Sequence, residues 1–143
     1  MERYIIEGKL ETGSENMTRK LVMGIDIGTT SVKACIFTLS GTCIAESEVL
    51  LHSYYPHSGW AEQNPADIEY STIEAIKNTV KKAGMKEKDL LSIGFSTAMH
   101  SIICIDEKGN PLSPALIWSD GRGISQAEQI KKDGFKIDEE IDM

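Results

Sequence analysis

Short apolar runs separated by small polar turns open the chain, in a pattern typical of adjacent β-strands. Two such runs, at 22–27 and 32–37, are separated by the polar turn GTTS at 28–31. A second reversal is marked by Ser40-Gly41, after which 43–51 is predicted to be a third strand. The pattern therefore predicts a meander of three strands with no helix between them.

A helix follows the meander, and both of its ends are marked in the sequence. Asn64 is suited to cap the helix and Pro65 to occupy its first turn. Gly84 ends it after a basic last turn. The apolar positions on one helical face are Ile73, Ile76, Val80 and Ala83. We expect this face to pack against the sheet.

The second half of the chain predicts further strands and another helix. The strands lie at 90–95, 101–106 and 115–118, and the helix carries Ile124, Ala127 and Ile130 and ends at Gly134. A meander followed by strands alternating with helices indicates an α/β fold with a mixed β-sheet flanked by helices. We assign residues 21–143 to this domain and set residues 1–20 aside as a tail, an alternative start or an expression remnant.

Composition and charge narrow the class of protein. The net charge of −7 provides no basic stripe for nucleic acid or for an anionic membrane. No run approaches the roughly 18 apolar residues of a membrane span, and no signal peptide is visible. The three cysteines, Cys35, Cys43 and Cys104, lie in apolar stretches. They predict reduced, buried thiols in a cytoplasmic protein.

Asp26 and the 28–31 turn are the strongest candidates for chemistry. A carboxylate that closes a buried strand is costly if unpaired, so Asp26 requires donors, a cation or a metal. Gly28 permits a positive φ or a close backbone approach, and Lys33 adds a positive charge. The hydroxyl donors of the turn are Thr29, Thr30 and Ser31. Such a set suits a phosphate chain with its Mg²⁺; the alternative is an ordinary β-turn whose polar groups satisfy one another.

Four segments, in order, resemble the FGGY carbohydrate kinases of the actin-like ATPase superfamily. They are GIDIGTTSVKACIF at 24–37, GWAEQNPADI at 59–68, IGFSTAMHSII at 93–103 and PALIWSDGR at 114–122. The resemblance implies an actin-like (ribonuclease H-like) domain that binds ATP and Mg²⁺, here as an incomplete N-terminal domain. It implies that Asp26 faces the metal and the reacting phosphoryl group. The residues it implies for the nucleotide phosphates are Gly28, Thr29, Thr30, Ser31 and Lys33.

The same resemblance implies a sugar-binding role for residues in the second half of the chain. These are Met99, His100, Trp118, Asp120 and Arg122. From the residues alone, His100 is also readily explained as a structural hydrogen-bonding residue, Trp118 as core and Asp120 as a helix cap. The form AMHS at 98–101, together with IWSDGR, resembles the gluconokinase branch. This implies D-gluconate as substrate, with D-xylulose as the second choice.

The function implied is that of an ATP-dependent sugar or sugar-acid kinase whose general base and second domain lie beyond position 143. We therefore expect the isolated chain to be inactive. The expected partners are a small-molecule sugar or sugar acid and the C-terminal domain of a full-length kinase, and a homo-oligomer is compatible with the sequence. A non-catalytic actin-like nucleotide-binding module is the competing interpretation, against which the Met-His pair and WSDGR argue.

Overall fold

The computed structural model describes residues 19–134, which centre on a mixed sheet of four strands. Three strands form the meander: β1 (Leu21–Ile27), β2 (Ser31–Thr38) and β3 (Cys43–Leu50). Two shorter elements, β4 (Glu62–Gln63) and β6 (Ala115–Leu116), pair with each other, and β5 (Leu90–Thr97) lies between them in the chain. The large sheet has the order β3-β2-β1-β5, with β5 parallel to β1 and the meander antiparallel. The predicted meander and mixed sheet are confirmed.

Helix α1 (Pro65–Ala83) has the predicted ends. The Asn64 side chain accepts a hydrogen bond from the N–H of Ala66 at 3.0 Å, and Gly84 adopts the left-handed conformation at φ 56°. The residues of α1 that are buried are Ser71, Ala75 and Thr79, while Ile76, Val80 and Ala83 pack beside the core. Ile73 is 42% exposed. The predicted apolar face is therefore correct except at Ile73.

The core lies between α1 and one face of the sheet. It is formed by Leu21, Met23, Ile25, Val32, Ala34, Ile36 and Ala75. The fully buried Thr79 hydroxyl joins the two layers by donating to the carbonyl oxygen of Ala34 at 3.1 Å. Because side chains alternate along a strand, the residues between these core positions lie on the opposite, outer face of the sheet.

The predicted burial of the cysteines is wrong. Cys43 and Cys104 are exposed and Cys35 is half-buried. Cys35 follows the core residue Ala34 on β2, and the pleat of the strand places it on the outer face. Apolar neighbours in the sequence thus did not imply an apolar environment.

The strand predicted at 101–106 is also wrong. This segment forms only isolated bridges, from Ile102 to Leu116 and from Ile105 to Pro111. Its neighbour β6 is two residues long, so no partner exists for a longer ladder in the described part of the chain. The second predicted helix is confirmed as α2 (Ile124–Lys132), and Gly134 follows it at φ 78°.

Strand β5 is an edge of the sheet within residues 19–134, and its apolar side chains are poorly covered. The register with β1 places Ile93 and Phe95 on the same side as α1, but α1 packs mainly on β2 and β3. Phe95 is consequently 63% exposed. No helix of the described residues is both long and apolar enough to cross a membrane.

Candidate functional site

Asp26 lies on the outer face of the sheet near the end of β1. Its neighbours in register are Lys33 on β2 and Ser96 on β5. The expectation of a buried carboxylate is wrong, because Asp26 is exposed. The strand is buried only on its α1 side, so the fold bears no cost of burying this charge and the carboxylate is open to a cation or ligand from solvent.

The 28–31 turn is fixed by bonds to its carbonyl groups. Ser31 accepts from the N–H of Gly28 at 3.0 Å, and Thr30 accepts from the N–H of Leu51 at 2.8 Å. A Cβ on Gly28 would lie 3.3 Å from the Ser31 carbonyl oxygen. Gly28 does not have a positive φ, so the close backbone approach is what favours glycine here. The hydroxyls of the turn, and its amides other than that of Gly28, are then the groups that a phosphate would use.

Gln63 fixes the same turn from a distant part of the chain. Its side chain, in a residue only 4% exposed, donates from Nε2 to the carbonyl oxygen of Thr29 at 2.7 Å. The Ser53 hydroxyl donates to the same oxygen at 3.4 Å. Gln63 was not among the residues that the sequence singled out, because its partner Thr29 lies 34 residues away in the chain.

Met99 and His100 lie in a turn after β5, and His100 does not begin a strand as expected. The N–H of Ala98 donates to the carbonyl oxygen of Ile27 at 2.9 Å, so the Met-His turn lies beside the 28–31 turn. His100 has φ 61°, the one positive value at a non-glycine residue within 19–134. Both side chains are exposed. A left-handed conformation costs about 1–2 kcal/mol for a residue with a Cβ and is typical of functional sites.

Asp120 and Arg122 form a network that joins two loops. Asp120 accepts from the N–H of Ala61 at 2.7 Å and from the Nε and Nη2 of Arg122, each at 2.8 Å. Arg122 also pairs with Glu62 at 2.6 Å. The Arg122 guanidinium, followed by the backbone N–H of Ala61, lowers the pKa of Asp120 to about 2. Asp120 and then Glu62 raise the pKa of Arg122.

The structure rules out the alternative role of Asp120 as the cap of the second helix. The N-cap position of α2 is Gly123, and it has no side-chain cap, so Asp120 does not cap this helix. Its carboxylate is instead held by Arg122 and by the loop before α1.

Trp118 is 63% exposed, so it is not the core residue that was the alternative. It lines a shallow cavity of about 580 Å³ with Tyr55, His57 and Trp60. The Arg122 guanidinium carbon lies 3.9 Å from the centre of the Trp60 ring. Arg122, held by Asp120, therefore also contacts the Trp60 ring that lines this cavity.

A second cavity, of about 640 Å³, adjoins the 28–31 turn on the α1 side of the sheet. Gly28, Gln63, Ala98 and Ser101 are among its lining residues. Most of its remaining lining is aliphatic: Ile27, Ile68, Ile73, Ile102, Ile103 and Ile117. An aliphatic lining favours an apolar occupant over a polyhydroxylated sugar.

Most of the sequence of this chain matches a known family. Residues 21–139 match the model of the N-terminal domain of the FGGY family of carbohydrate kinases. The chain belongs to this family. The expected FGGY kinase resemblance and the α/β actin-like fold are thereby confirmed.

Individual FGGY kinases are similar over most of this chain. Gluconokinase of Bacillus subtilis is 39% identical over 112 residues, which are 78% of this chain and 21% of that protein. Xylulose kinase of Staphylococcus xylosus is 36% identical over 111 residues, 78% of this chain and 23% of that protein. The crystal structure of gluconate kinase from Lactobacillus acidophilus superposes with a TM-score of 0.74 at 26% identity, covering 81% of this chain and 23% of that one. This FGGY chain thus spans about a fifth to a quarter of the length of these relatives.

Proposed function

We propose that this chain contributes the phosphate-binding turn and part of the sugar-binding site of an ATP-dependent kinase acting on D-gluconate. The observation that carries the proposal is the bond from the N–H of Ala98 to the carbonyl oxygen of Ile27. It brings Met99 and His100 beside the 28–31 turn, although about 70 residues separate them in the sequence. A sugar at the Met-His pair and a phosphate at the turn would then be neighbours, as phosphoryl transfer requires.

The groups around the turn fit a magnesium–nucleotide ligand. The carbonyl oxygens of Thr29, Thr30 and Ser31 and the N–H of Gly28 are engaged within the protein, which leaves the hydroxyls and the remaining amides of the turn for phosphate oxygens. Asp26 offers the oxygen ligand that Mg²⁺ prefers, and Lys33 offers a positive charge beside it. Mg²⁺ bound with ATP would neutralise charge on the transferring phosphoryl group.

The choice of sugar rests on the sequence around the Met-His pair. Residues 98–101 read AMHS and residues 117–122 read IWSDGR, a combination that resembles gluconokinases. Identities of 39% and 36% to a gluconokinase and a xylulose kinase differ too little to decide between the sugars. D-Gluconate is therefore the proposed substrate and D-xylulose the alternative.

A chimeric enzyme tests the proposal. The matched 112 residues of the Bacillus subtilis gluconokinase are replaced by the corresponding residues of this chain. We expect ATP-dependent phosphorylation of gluconate by the chimera, and loss of turnover in its Asp26→Asn variant without a change in circular dichroism. Glu107→Gln is the control and should keep the turnover of the chimera, because Glu107 is an exposed carboxylate outside the proposed site. Near-normal kcat in Asp26→Asn would make Asp26 an ordinary turn residue.

The same chimera distinguishes the sugars and the competing function. We expect a higher kcat/KM for D-gluconate than for D-xylulose, and the reverse order would assign xylulose. A folded chimera that binds MgATP but phosphorylates neither sugar would instead favour a nucleotide-binding module without sugar kinase activity.

A further inference from the structure

Three potential metal ligands meet on the outer face of β2 and β3. The ligand atoms of Cys35, Cys43 and Glu46 all lie within 4.8 Å of one another. Cys35 lies opposite Glu46 in the register, and Cys43 lies opposite Phe37, just past a register shift. Because Cys35 is four residues beyond Ser31, the cluster lies ~13 Å along the strand from the 28–31 turn.

The cluster consists of two thiol sulfurs and one carboxylate. These are atoms that bind Zn²⁺ once the thiols have lost their protons. Lys33, the neighbouring cation on β2, pairs with Glu48 at 3.7 Å rather than with Glu46.

The Glu46 carboxylate is available for such a cation. Lys82 reaches β3 from α1, but its Nζ donates to the main-chain carbonyl oxygen of Glu46, at 2.8 Å. Within residues 19–134 the Glu46 carboxylate forms no salt bridge. Cys43 and Glu46 are exposed, so the cluster is open to solvent.

We propose that Cys35, Cys43 and Glu46 bind a divalent cation of the zinc type. Two thiolates and a carboxylate are ligands that Zn²⁺ prefers, and three protein ligands leave a fourth position for water. On binding, each thiol gives up its proton to solvent and the sulfur donates to the metal. Neither Asp26 nor the 28–31 turn takes part, so this site is independent of the proposed kinase function.

Zinc binding by the whole 143-residue chain tests the proposal. Zn²⁺ is titrated into the protein after reduction with a phosphine, and bound metal is measured by equilibrium dialysis. We expect one Zn²⁺ per chain, lost in Cys35→Ser and in Cys43→Ser. Glu46→Gln should weaken zinc binding at least about tenfold. Mutating even a group that only hydrogen-bonds to a ligand lowers metal affinity about 10- to 100-fold. Cys104→Ser is the matched control and should bind as the parent does.

A second probe distinguishes ligation by these thiols from weak surface binding. Co²⁺ in place of Zn²⁺ should give a thiolate-to-metal charge-transfer band that disappears in Cys43→Ser and persists in Cys104→Ser. If Cys35→Ser does not fold by circular dichroism, the variants of the exposed Cys43 and Glu46 decide the question. Absence of stoichiometric binding by the reduced parent, or equal binding by the parent and Cys43→Ser, overturns the proposal.

Discussion

His100 has an unusual backbone conformation for a residue with a large side chain. At φ 61° it lies in the left-handed region, where glycine would be free of strain. His100 is exposed and lies in the turn after β5, outside any helix or strand. A side chain kept in a strained, exposed turn is what a ligand-binding role would explain.

Two substitutions at His100 separate binding from backbone strain. In the chimeric kinase, we expect both His100→Gly and His100→Ala to raise the KM for the sugar and to leave the KM for ATP nearly unchanged. The rise should be about 2- to 13-fold if a bond to a sugar hydroxyl is lost, and about 13- to 160-fold if the partner is the gluconate carboxylate. His100→Gly should be at least as stable as His100→Ala, because only glycine avoids the strain. Unchanged kinetics with a lower melting temperature would make His100 structural.

Gln63 is a buried amide that holds the proposed phosphate-binding turn in place. Gln63→Met keeps the approximate shape of the side chain but removes the donor to the Thr29 carbonyl oxygen. The Thr29 oxygen would keep only the 3.4 Å bond from the Ser53 hydroxyl. A lost hydrogen bond costs about 0.5–1.5 kcal/mol, so we expect a lower free energy of unfolding in urea. In the chimera, the KM for ATP should rise more than the KM for gluconate, because the turn is displaced and the Met-His pair is not. Gln126→Met on the exposed face of α2 is the control; equal behaviour of both variants would contradict the positioning role.

The short strands β4 and β6 are held together mainly by the ion network beside them. Their pairing covers only two residues on each strand, yet Asp120 and Arg122 extend the contact to Ala61 and Glu62. This connection holds the loop with Trp118 against the loop that precedes α1. The aromatic cavity therefore depends on charge as well as on main-chain pairing.

Lowering the pH should loosen this connection. The pKa of Asp120 is lowered from 3.8 to about 2 in the folded chain, so its ionised form stabilises the fold above pH about 4. That contribution is lost as the pH falls from about 4 to about 2. We expect Asp120→Asn to lower the melting temperature at pH 7 and the difference from the parent to shrink toward pH 2.

Other carboxyl groups also contribute to the acid sensitivity, so the test of Asp120 needs a control variant. Asp89 and Asp106 also have lowered pKa values, chiefly through hydrogen bonds from Lys86 and from Asn110. Both groups remain in Asp120→Asn, so part of the acid sensitivity should persist in that variant. Glu128→Gln, an exposed carboxylate on α2, should follow the parent throughout. A difference between the parent and Asp120→Asn that stays constant from pH 7 to pH 2 would contradict the role of ionisation.

At the scale of the whole molecule, the candidate site is open and the sheet has an uncovered apolar edge. Asp26 and the Met-His pair are exposed, while Phe95, Ile102 and Leu91 are 63%, 62% and 55% exposed. This chain spans 21% of the Bacillus subtilis gluconokinase that it matches. The second domain of a full-length kinase, expected above from the family resemblance, would have an apolar edge to cover and an open site to close.

The chain by itself should accordingly be inactive. We expect no ATP-dependent phosphorylation of gluconate or xylulose in a coupled assay, because one wall of a site does not hold both substrates in line. The chimera described above serves as the positive control for the same assay. Turnover by the isolated chain near about 1–100 s⁻¹, the usual range for kinases, would contradict this inference.

The sequence by itself determined the elements whose signals are local. Alternation and the GTTS turn predicted the meander, and Asn64, Pro65 and Gly84 predicted both ends of α1. Caps and tight turns depend on residues within a few positions of each other, so they can be identified without knowing the fold. The quoted motifs also identified the family, because their order along the chain is itself a sequence property.

Only the tertiary structure decided burial and the contacts between distant residues. Asp26 is exposed because no described element covers the outer face, and 101–106 is not a strand because β6 offers it too short a partner. The bond of Gln63 to Thr29 spans 34 residues, and that of Ala61 to Asp120 spans 59. Such pairs form when separate strands and loops pack together, and nothing near either residue in the sequence specifies its partner.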